Sequence, residues 1–522
     1  MGISMSQQLL IGEGLKFSAH YVPNRDAFVY GEERLTYGKT LERATHLAGW
    51  LQKHGVQKNE KIACLFKNGT PFVELFFAVS LNGSVFVPVN FRLVTAELQY
   101  ILNHADIKIL FIDEEFADTI LSIEDKLPNI EKIVVVGRAA ESNDIPLVTY
   151  DSIFEGSISF RQREDLDDDD PLAIVYTSGT TGKPKGAVLT HKNLYMNGMH
   201  KLYHAGAKFG TKHLTIPPLF HIAGLANITQ LILMQGTMFI HREFNPRVIL
   251  ETIEREKINS MFLVPSMWNI VLKEPNLHEY DLSSMRICAT AGAICPLELK
   301  YKIIDTFKNG SIHETFGQTE MSPSTTFLTG EDALDKSKTA SVGRPSLNVR
   351  IRVVDDNMND VPVGEIGEIV YQGPTTMKEY YKNPEATKEA FRGGWFHSGD
   401  LVRMDEEGFV YVVDRKKDMI ISGGENIYPK EIEEVLYTHP DILEAAVVGV
   451  PDPKWGESVK ACIVLNQGRQ LFEVDIIQYC QQYLASYKKP RYVEFFDILP
   501  KNAAGKILKT ELRNAVTDKA IN

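Results

Sequence analysis

Apolar residues recur at helical spacing at Leu41, Ala44, Leu47, Ala48 and Leu51, and Gly55 closes the helix they predict. Strand-like runs follow at 61–66, 85–90 and 107–113, mostly apolar and rich in Val, Ile and Phe. Helical patterns at 71–81 and 95–105 lie between them, so the alternation predicts βαβ units and a parallel sheet. A second alternating series runs from Leu172 to about Met321, with strands expected near 261–264, 285–290 and 311–315. The acidic run 164–170, ending at Pro171, separates the two series and reads as a solvated connector. Consecutive carboxylates do not converge on one ion, so no metal site is assigned to it.

From Val349 the pattern changes to short strands at 349–354, 368–372 and 409–413, separated by Gly and Pro turns: a small antiparallel β unit. After Asp414 come a helix at 431–438, strands at 445–450 and 459–465, and a helix near 474–484. These make a small α+β domain. The fold class expected is therefore α/β, and 522 residues exceed one ordinary core. No repeat is apparent.

The net charge of −12 argues against a general nucleic-acid binder. The stretch 483–522 nevertheless holds eight Lys/Arg against four Asp/Glu, as suits a cap meeting phosphates or a solvated face. Cys64, Cys288, Cys295, Cys462 and Cys480 form no C-x-x-C pair and lie in apolar segments, which reads as reduced thiols of a cytoplasmic protein. No run reaches ~18 apolar residues, so no membrane span is expected. The first six residues fit a myristoylation pattern, but so short a motif is common by chance and no anchor is assigned.

The chemistry concentrates in a few motifs. Thr177-Ser178-Gly179-Thr180-Thr181-Gly182-Lys183-Pro184-Lys185-Gly186 follows the apolar run 172–176. Hydroxyls, glycines and lysines after a strand give a loop that can wrap a polyphosphate with backbone N–H groups and ammonium charge. It is not a Walker loop, because no Gly-Lys-[Ser/Thr] stands at the required spacing. Thr315-Phe316-Gly317-Gln318-Thr319-Glu320 ends a predicted strand with a carboxylate, and His397-Ser398-Gly399-Asp400-Leu401 places another after a tight turn. Pro217-Pro218-Leu219-Phe220-His221, the loop Thr290-Ala291-Gly292-Ala293, the run from Asp414 to Glu431, and Pro500-Lys501-Asn502-Ala503-Ala504-Gly505-Lys506 complete the set.

In this order and combination the motifs resemble those of the adenylate-forming superfamily, which includes acyl-CoA synthetases, firefly-type luciferases and peptide-synthetase adenylation domains. The resemblance runs from about Asp26 to Lys509. It implies a large N-terminal AMP-binding domain over 1–413 with two mixed or parallel sheets and a small β-barrel-like unit. A hinge at 414–418 around Lys417 and a small mobile α+β domain over 419–522 would follow. The implied chemistry is attack of a carboxylate on the ATP α-phosphate, then transfer of the acyl group to CoA.

By resemblance, Thr177, Ser178, Gly179, Thr180, Thr181, Gly182 and Lys185 hold phosphates. Gly292, Ala293, Thr315, Phe316, Gly317 and Thr319 pass along the adenine and the adenylate. Glu320 holds Mg²⁺, Asp400 binds the ribose, Arg415 contacts the ribose or a phosphate, and His221 gates the acid. Ser422, Gly423 and Gly424 line a pantetheine channel, and Lys506 is the catalytic lysine. This chain departs from the family's habit at Phe316, Ala291 and Ala504, where Tyr, Gly and a hydroxyl residue are commoner.

Phe220, Ala223, Met267, Ile294 and Met321 suggest an apolar acid pocket, which accepts fatty and aromatic tails alike. A medium- or long-chain fatty acid is the first expectation, an aryl or aryl-propenoic acid the second. Loading of a carrier protein, a luciferase-like oxygenase and a non-enzymatic sensor are the competing readings. Glu320, Asp400, Arg415 and Lys506 together speak against the sensor. The partners expected are a small carboxylic acid, ATP and CoA. A homodimer is admitted, although these residues choose no oligomeric state.

Overall fold

The computed structural model describes residues 9–138, 142, 145–177, 183–293, 295–422, 425–501 and 507–514. The helix predicted around Leu47 spans Tyr37–Lys53 and starts at Thr36, whose Oγ1 accepts the N–H of Lys39. This N-cap satisfies one of the helix's four unpaired donors. Its apolar stripe packs on the helix Thr70–Asn82, which is buried on nearly every side and ends at Gly83 in the left-handed conformation, φ 71°.

The first parallel run appears as strands Lys61–Leu65, Val85–Pro88 and Ile109–Asp113. All five residues of Ile109–Asp113 are buried, as expected of a strand covered on both faces. Among the described residues this sheet has eight strands, in the order Glu379–Tyr380, Lys185–Thr190, Pro171–Thr177, Val85–Pro88, Lys61–Leu65, Ile109–Asp113, Lys132–Val136 and Leu147–Thr149. A second sheet, of nine strands among the described residues, includes Asp26–Tyr30, Lys212–Thr215, Ser260–Phe262, Ile287–Thr290 and Ser311–Gly317 in parallel.

Two expectations about the series are corrected. The acidic run does not separate the sheets, because Pro171–Thr177 pairs in parallel with Val85–Pro88, through Phe86 and Ala173, and so joins the first. The hairpin of Asp26–Tyr30 and Glu33–Thr36 instead completes the second sheet, Phe28 opposite Met238. Alternation in sequence reveals that a strand is parallel but not which sheet receives it. Nor is the connector merely solvated. Asp170 pairs with Lys58 at 2.7 Å and Asp169 with Lys192 at 2.8 Å, which fastens it beside the strand it feeds.

By Cα proximity the chain divides into two compact units, Met1–Ile351 with Tyr371–Phe396, and Arg352–Val370 with His397–Asn522. The β unit expected at 349–413 is a sheet ordered Arg350–Val354, Gly367–Gln372, Phe396–Met404 and Val410–Arg415, with no closed barrel among the described residues. In the last hundred residues, helices Pro429–Tyr437 and Glu473–Tyr483 cover strands Ile442–Asp452 and Gly456–Leu465. Ile420, Ile432, Leu436, Val447, Ala461, Ile476 and Cys480 form the core. All five cysteines are buried free thiols.

Candidate active site

In the first unit, the phosphate-loop motif connects two antiparallel strands, with Thr177 opposite Lys185 and Tyr176 opposite Gly186. Ser178, Gly179, Thr180, Thr181 and Gly182 lie outside the described residues. The flanks are fixed. Thr177 Oγ1 donates to Lys185 O at 3.4 Å. A Cβ on Gly186 would stand 2.6 Å from Ile174 Cγ2, so the cross-strand approach beside the loop admits only glycine.

Lys185 Nζ lies 5.2 Å from the ring centroid of Tyr380, over its face. The same Tyr380 hydroxyl donates to Glu320 Oε1 at 2.8 Å. Glu320 sits in a 3₁₀ turn, Thr319–Met321, directly after the strand Ser311–Gly317, and is buried. Its backbone oxygen accepts the N–H of Met377 at 2.7 Å. One tyrosine thus joins the motif lysine to the motif carboxylate. The sequence reading missed it, because Tyr380 belongs to a two-residue strand with no periodicity to detect.

Gly317 has φ 150°, and a Cβ there would fall 2.0 Å from Pro323 O. Only glycine lets the chain fold back here to present Thr319 and Glu320. Thr315 and Phe316 pair with Phe327 and Thr326 and keep part of their surface accessible. Gly292, φ 85°, and Ala293 follow the strand Ile287–Thr290 and are exposed.

His221 stands at the N-cap position of helix Ile222–Leu233. Its ring is 4.5 Å from that of Phe220, which meets Phe91 edge-to-face at 5.3 Å, and Phe91 stacks on Phe116 at 5.8 Å. Burial, and the Arg92 guanidinium in second place, push the His221 imidazole down to about 4, so it is neutral at pH 7. Of the other pocket residues, Ala223 and Met267 are half-buried and Met321 is fully buried, while Ile294 lies outside the described residues.

In the second unit, Asp400 is not in a loop. It lies within the strand Phe396–Met404, directly opposite Arg415 on Val410–Arg415. The turn read from sequence is a kink at Gly399, φ 72°. Asp400 is buried and its Oδ1 is 2.6 Å from Arg415 Nε, while Arg415 Nη1 donates to Ser398 O at 3.2 Å. Glu368 braces the kink by accepting Gly399 N–H at 3.1 Å. Burial would raise the Glu368 carboxyl, but Lys416 and His397 outweigh it and leave it below the usual range.

Asp414 accepts the N–H of Lys430 at 2.9 Å and so caps the helix Pro429–Tyr437. Lys417 is exposed, two residues beyond the strand that ends at Arg415. Ser422 ends the strand Ile420–Ser422, paired with Glu425 across a hairpin whose Gly423 and Gly424 lie outside the described residues. Lys506 also lies outside them, in a segment bracketed by the antiparallel bridge of Lys501 with Ile507.

The paired flanks of the phosphate-loop motif, a buried carboxylate linked to its lysine and a buried aspartate paired with a partly exposed arginine thus stand on one α/β chain. The family model of the AMP-binding enzymes matches residues 15–381, and that of the AMP-binding enzyme C-terminal domain matches 431–506. A feruloyl-CoA synthase of Amycolatopsis sp is 37% identical over 95% of this chain and 96% of its own. An indoleacetate–CoA ligase of Aromatoleum aromaticum is 34% identical over 98% of each. The structure of o-succinylbenzoate CoA synthetase from Bacillus subtilis, in complex with its acyl-adenylate intermediate, superposes with a TM-score of 0.85. It is 30% identical and covers 96% of this chain and 97% of that one.

The chain belongs to the AMP-binding enzyme family. It is an AMP-forming acid–thiol ligase, an acyl-CoA synthetase whose substrates are a small carboxylic acid, ATP and CoA. No helix among the described residues is long and apolar enough to cross a membrane.

Proposed function

We propose that this ligase activates an aromatic carboxylic acid, of the aryl-propenoic or arylacetic kind. The observation that carries the proposal is that full-length relatives named for feruloyl, indoleacetate and succinylbenzoate substrates match nearly the whole chain. The Phe91–Phe220–His221 ring cluster beside the motif that gates the acid adds support, since a neutral imidazole offers an aromatic acid another ring face. The fatty acid expected first becomes the weaker reading. Apolar residues alone could not separate a ring from an alkyl tail, and the relatives favour the ring.

The roles follow the two half-reactions. Thr177, the 178–182 loop and Lys185 hold the phosphates; Gly292, Ala293, Thr315, Phe316, Gly317 and Thr319 pass along the adenine and the adenylate. Asp400 accepts the ribose hydroxyls and Arg415 adds a second polar contact. Lys506 neutralises charge growing between the carboxylate and the α-phosphate as pyrophosphate leaves. Lys417 is the hinge for the change between half-reactions, and Ser422, Gly423 and Gly424 admit the pantetheine thiol.

Glu320 is a buried hard oxygen donor held by the Tyr380 hydroxyl, and it fits Mg²⁺ arriving with ATP. When bound, the cation neutralises phosphate charge. Tyr380 holds Glu320 in place for it. Tyr380→Phe keeps the ring under Lys185 but removes the hydroxyl. We expect the KM for Mg-ATP to rise about 3–10-fold, as for the net loss of one hydrogen bond of about 1 kcal/mol, with acid preference unaltered. An unchanged ATP KM would show that Tyr380 positions nothing.

Pyrophosphate release across a panel of acids tests the substrate class. Ferulate, cinnamate and indoleacetate are to be compared with saturated fatty acids of eight to sixteen carbons, with and without CoA. We expect kcat/KM at least ~10-fold higher for the best aromatic acid, the scale of discrimination a shaped apolar pocket achieves. A fatty acid ahead of every aromatic one would overturn the proposal, and product formed only with a carrier protein would overturn CoA as acceptor.

A further inference from the structure

The helix His191–Ala205 turns Leu194, Asn197 and Gly198 inward, all buried. A Cβ at Gly198 would stand 3.0 Å from Leu233 Cδ1 and 3.2 Å from Thr229 Cγ2, so this helix and Ile222–Leu233 are in close contact there. Position 201 falls on the same inward stripe, seven residues after Leu194, and it is a lysine. Its Nζ donates to Asn227 Oδ1 on the neighbouring helix at 2.7 Å. Asn227 Nδ2 is in turn 3.5 Å from His213 Nε2, and His213 Nδ1 bonds Ser260 Oγ at 2.9 Å.

Asn227, His213 and Ser260 are all buried. Among the described residues no carboxylate pairs with Lys201, and burial lowers its ammonium to about 8. Burial first, then this cation, keep His213 neutral as well, so the cluster holds a positive charge with no internal counter-ion. An uncompensated interior charge is costly, and an apolar side chain of similar volume packs such a site better. A partner supplied from outside would offset that cost.

The position suggests which partner. Ala223, one of the residues assigned to the acid pocket, lies one turn before Asn227 on the same helix face, and His221 stands at that helix's start. Six residues of helix rise about 9 Å, close to the span of an aryl-propenoic skeleton. Lys201 keeps part of its surface accessible, whereas Asn227, which it bonds, is buried.

We infer that Lys201 and Asn227 form the far end of the acid pocket, where they bind an oxygen substituent, hydroxyl or carboxylate, carried by the acid opposite its reacting carboxylate. The inference rests on the acid pocket lying beside His221. It does not require the acid to be aromatic.

The test is the selectivity ratio, kcat/KM for 4-hydroxycinnamate or 4-carboxycinnamate divided by that for cinnamate, read by pyrophosphate release. The parent enzyme is expected to favour at least one oxygen-bearing acid by about 10-fold or more, and Lys201→Met should lower that ratio about 10–100-fold. Lys201→Gln keeps a donor without the charge. It should retain the hydroxyl preference and lose the carboxylate one, and it decides the matter if Lys201→Met does not fold. A parent ratio near one, or a ratio that Lys201→Met leaves unchanged, overturns the inference. If no aromatic acid is turned over, the aromatic reading has failed. The same ratio is then taken between ω-hydroxy or ω-carboxy alkanoates and plain alkanoates of equal length, where a selective loss supports the inference and an unmoved ratio overturns it.

Discussion

Lys506→Ala is expected to cut acyl-adenylate formation by at least ~10²-fold, the typical loss when one preorganised charge is removed from a developing transition state. Given synthetic acyl-AMP and CoA, the same variant should form acyl-CoA at close to the parent rate if the lysine serves the first half-reaction alone. The two assays separate three cases. Loss in the first with survival in the second supports the assigned role. Loss in both points to damage to the fold, and loss in neither reduces Lys506 to a surface residue. The antiparallel bridge between Lys501 and Ile507 does not include position 506, so alanine there is not expected to unfold the domain.

Asp400→Ala should have the next largest effect, confined to ATP. The carboxylate is buried and faces Arg415 at 2.6 Å, so removal strands a guanidinium as well as any hydroxyls it would receive. A loss of about 2–4 kcal/mol follows from the usual cost of charged hydrogen bonds, or roughly 30- to 1000-fold in kcat/KM for ATP. Acid selectivity should not move. Steady-state kinetics with ATP varied at saturating acid, then the reverse, distinguish the two. Near-parent ATP constants would remove Asp400 from nucleotide recognition.

Much of this protein is legible in its sequence where a residue's burial is dictated by its neighbours. Ile109–Asp113 and Lys61–Leu65 are strands because their Ile, Leu, Phe, Ala and Cys side chains are buried on both faces, and that leaves four successive apolar residues in each. Loops that need glycine are equally legible. Gly317 marks a conformation that no side chain tolerates and so flags the turn that presents Glu320.

Contacts between distant segments left no such trace. Tyr380 meets Glu320 across 60 residues, and sheet membership depended on pairings that local pattern does not encode. The tight turn expected before Asp400 is only a kink at Gly399 inside one strand, because pairing with Val410–Arg415 keeps the chain extended on either side of it. Lys201 was detectable in principle, as a lysine on the stripe of Leu194, Asn197 and Gly198. A lysine on an inward stripe ordinarily bends its charge out to water, and only the bond from Lys201 Nζ to Asn227 Oδ1 shows that this one turns toward the neighbouring helix.

The hairpin that completes the nine-stranded sheet has a bearing on how the chain is made. Arg25 bonds the backbone of Gln235 at 3.0 Å across a separation of 210 residues, and Phe28 lies beside Met238. On a ribosome adding about 5–20 residues per second, roughly ten to forty seconds pass before that partner strand emerges. Meanwhile the segment Asp26–Tyr30 leaves its Met238 flank without the strand it will pair with, and the central residues of this segment are apolar. Such an edge invites pairing with another nascent chain. The segment Asp26–Tyr30 therefore waits far longer for its parallel partner than Lys61–Leu65 waits for Val85–Pro88, and yield in a heterologous host should depend on what shields that edge during the delay.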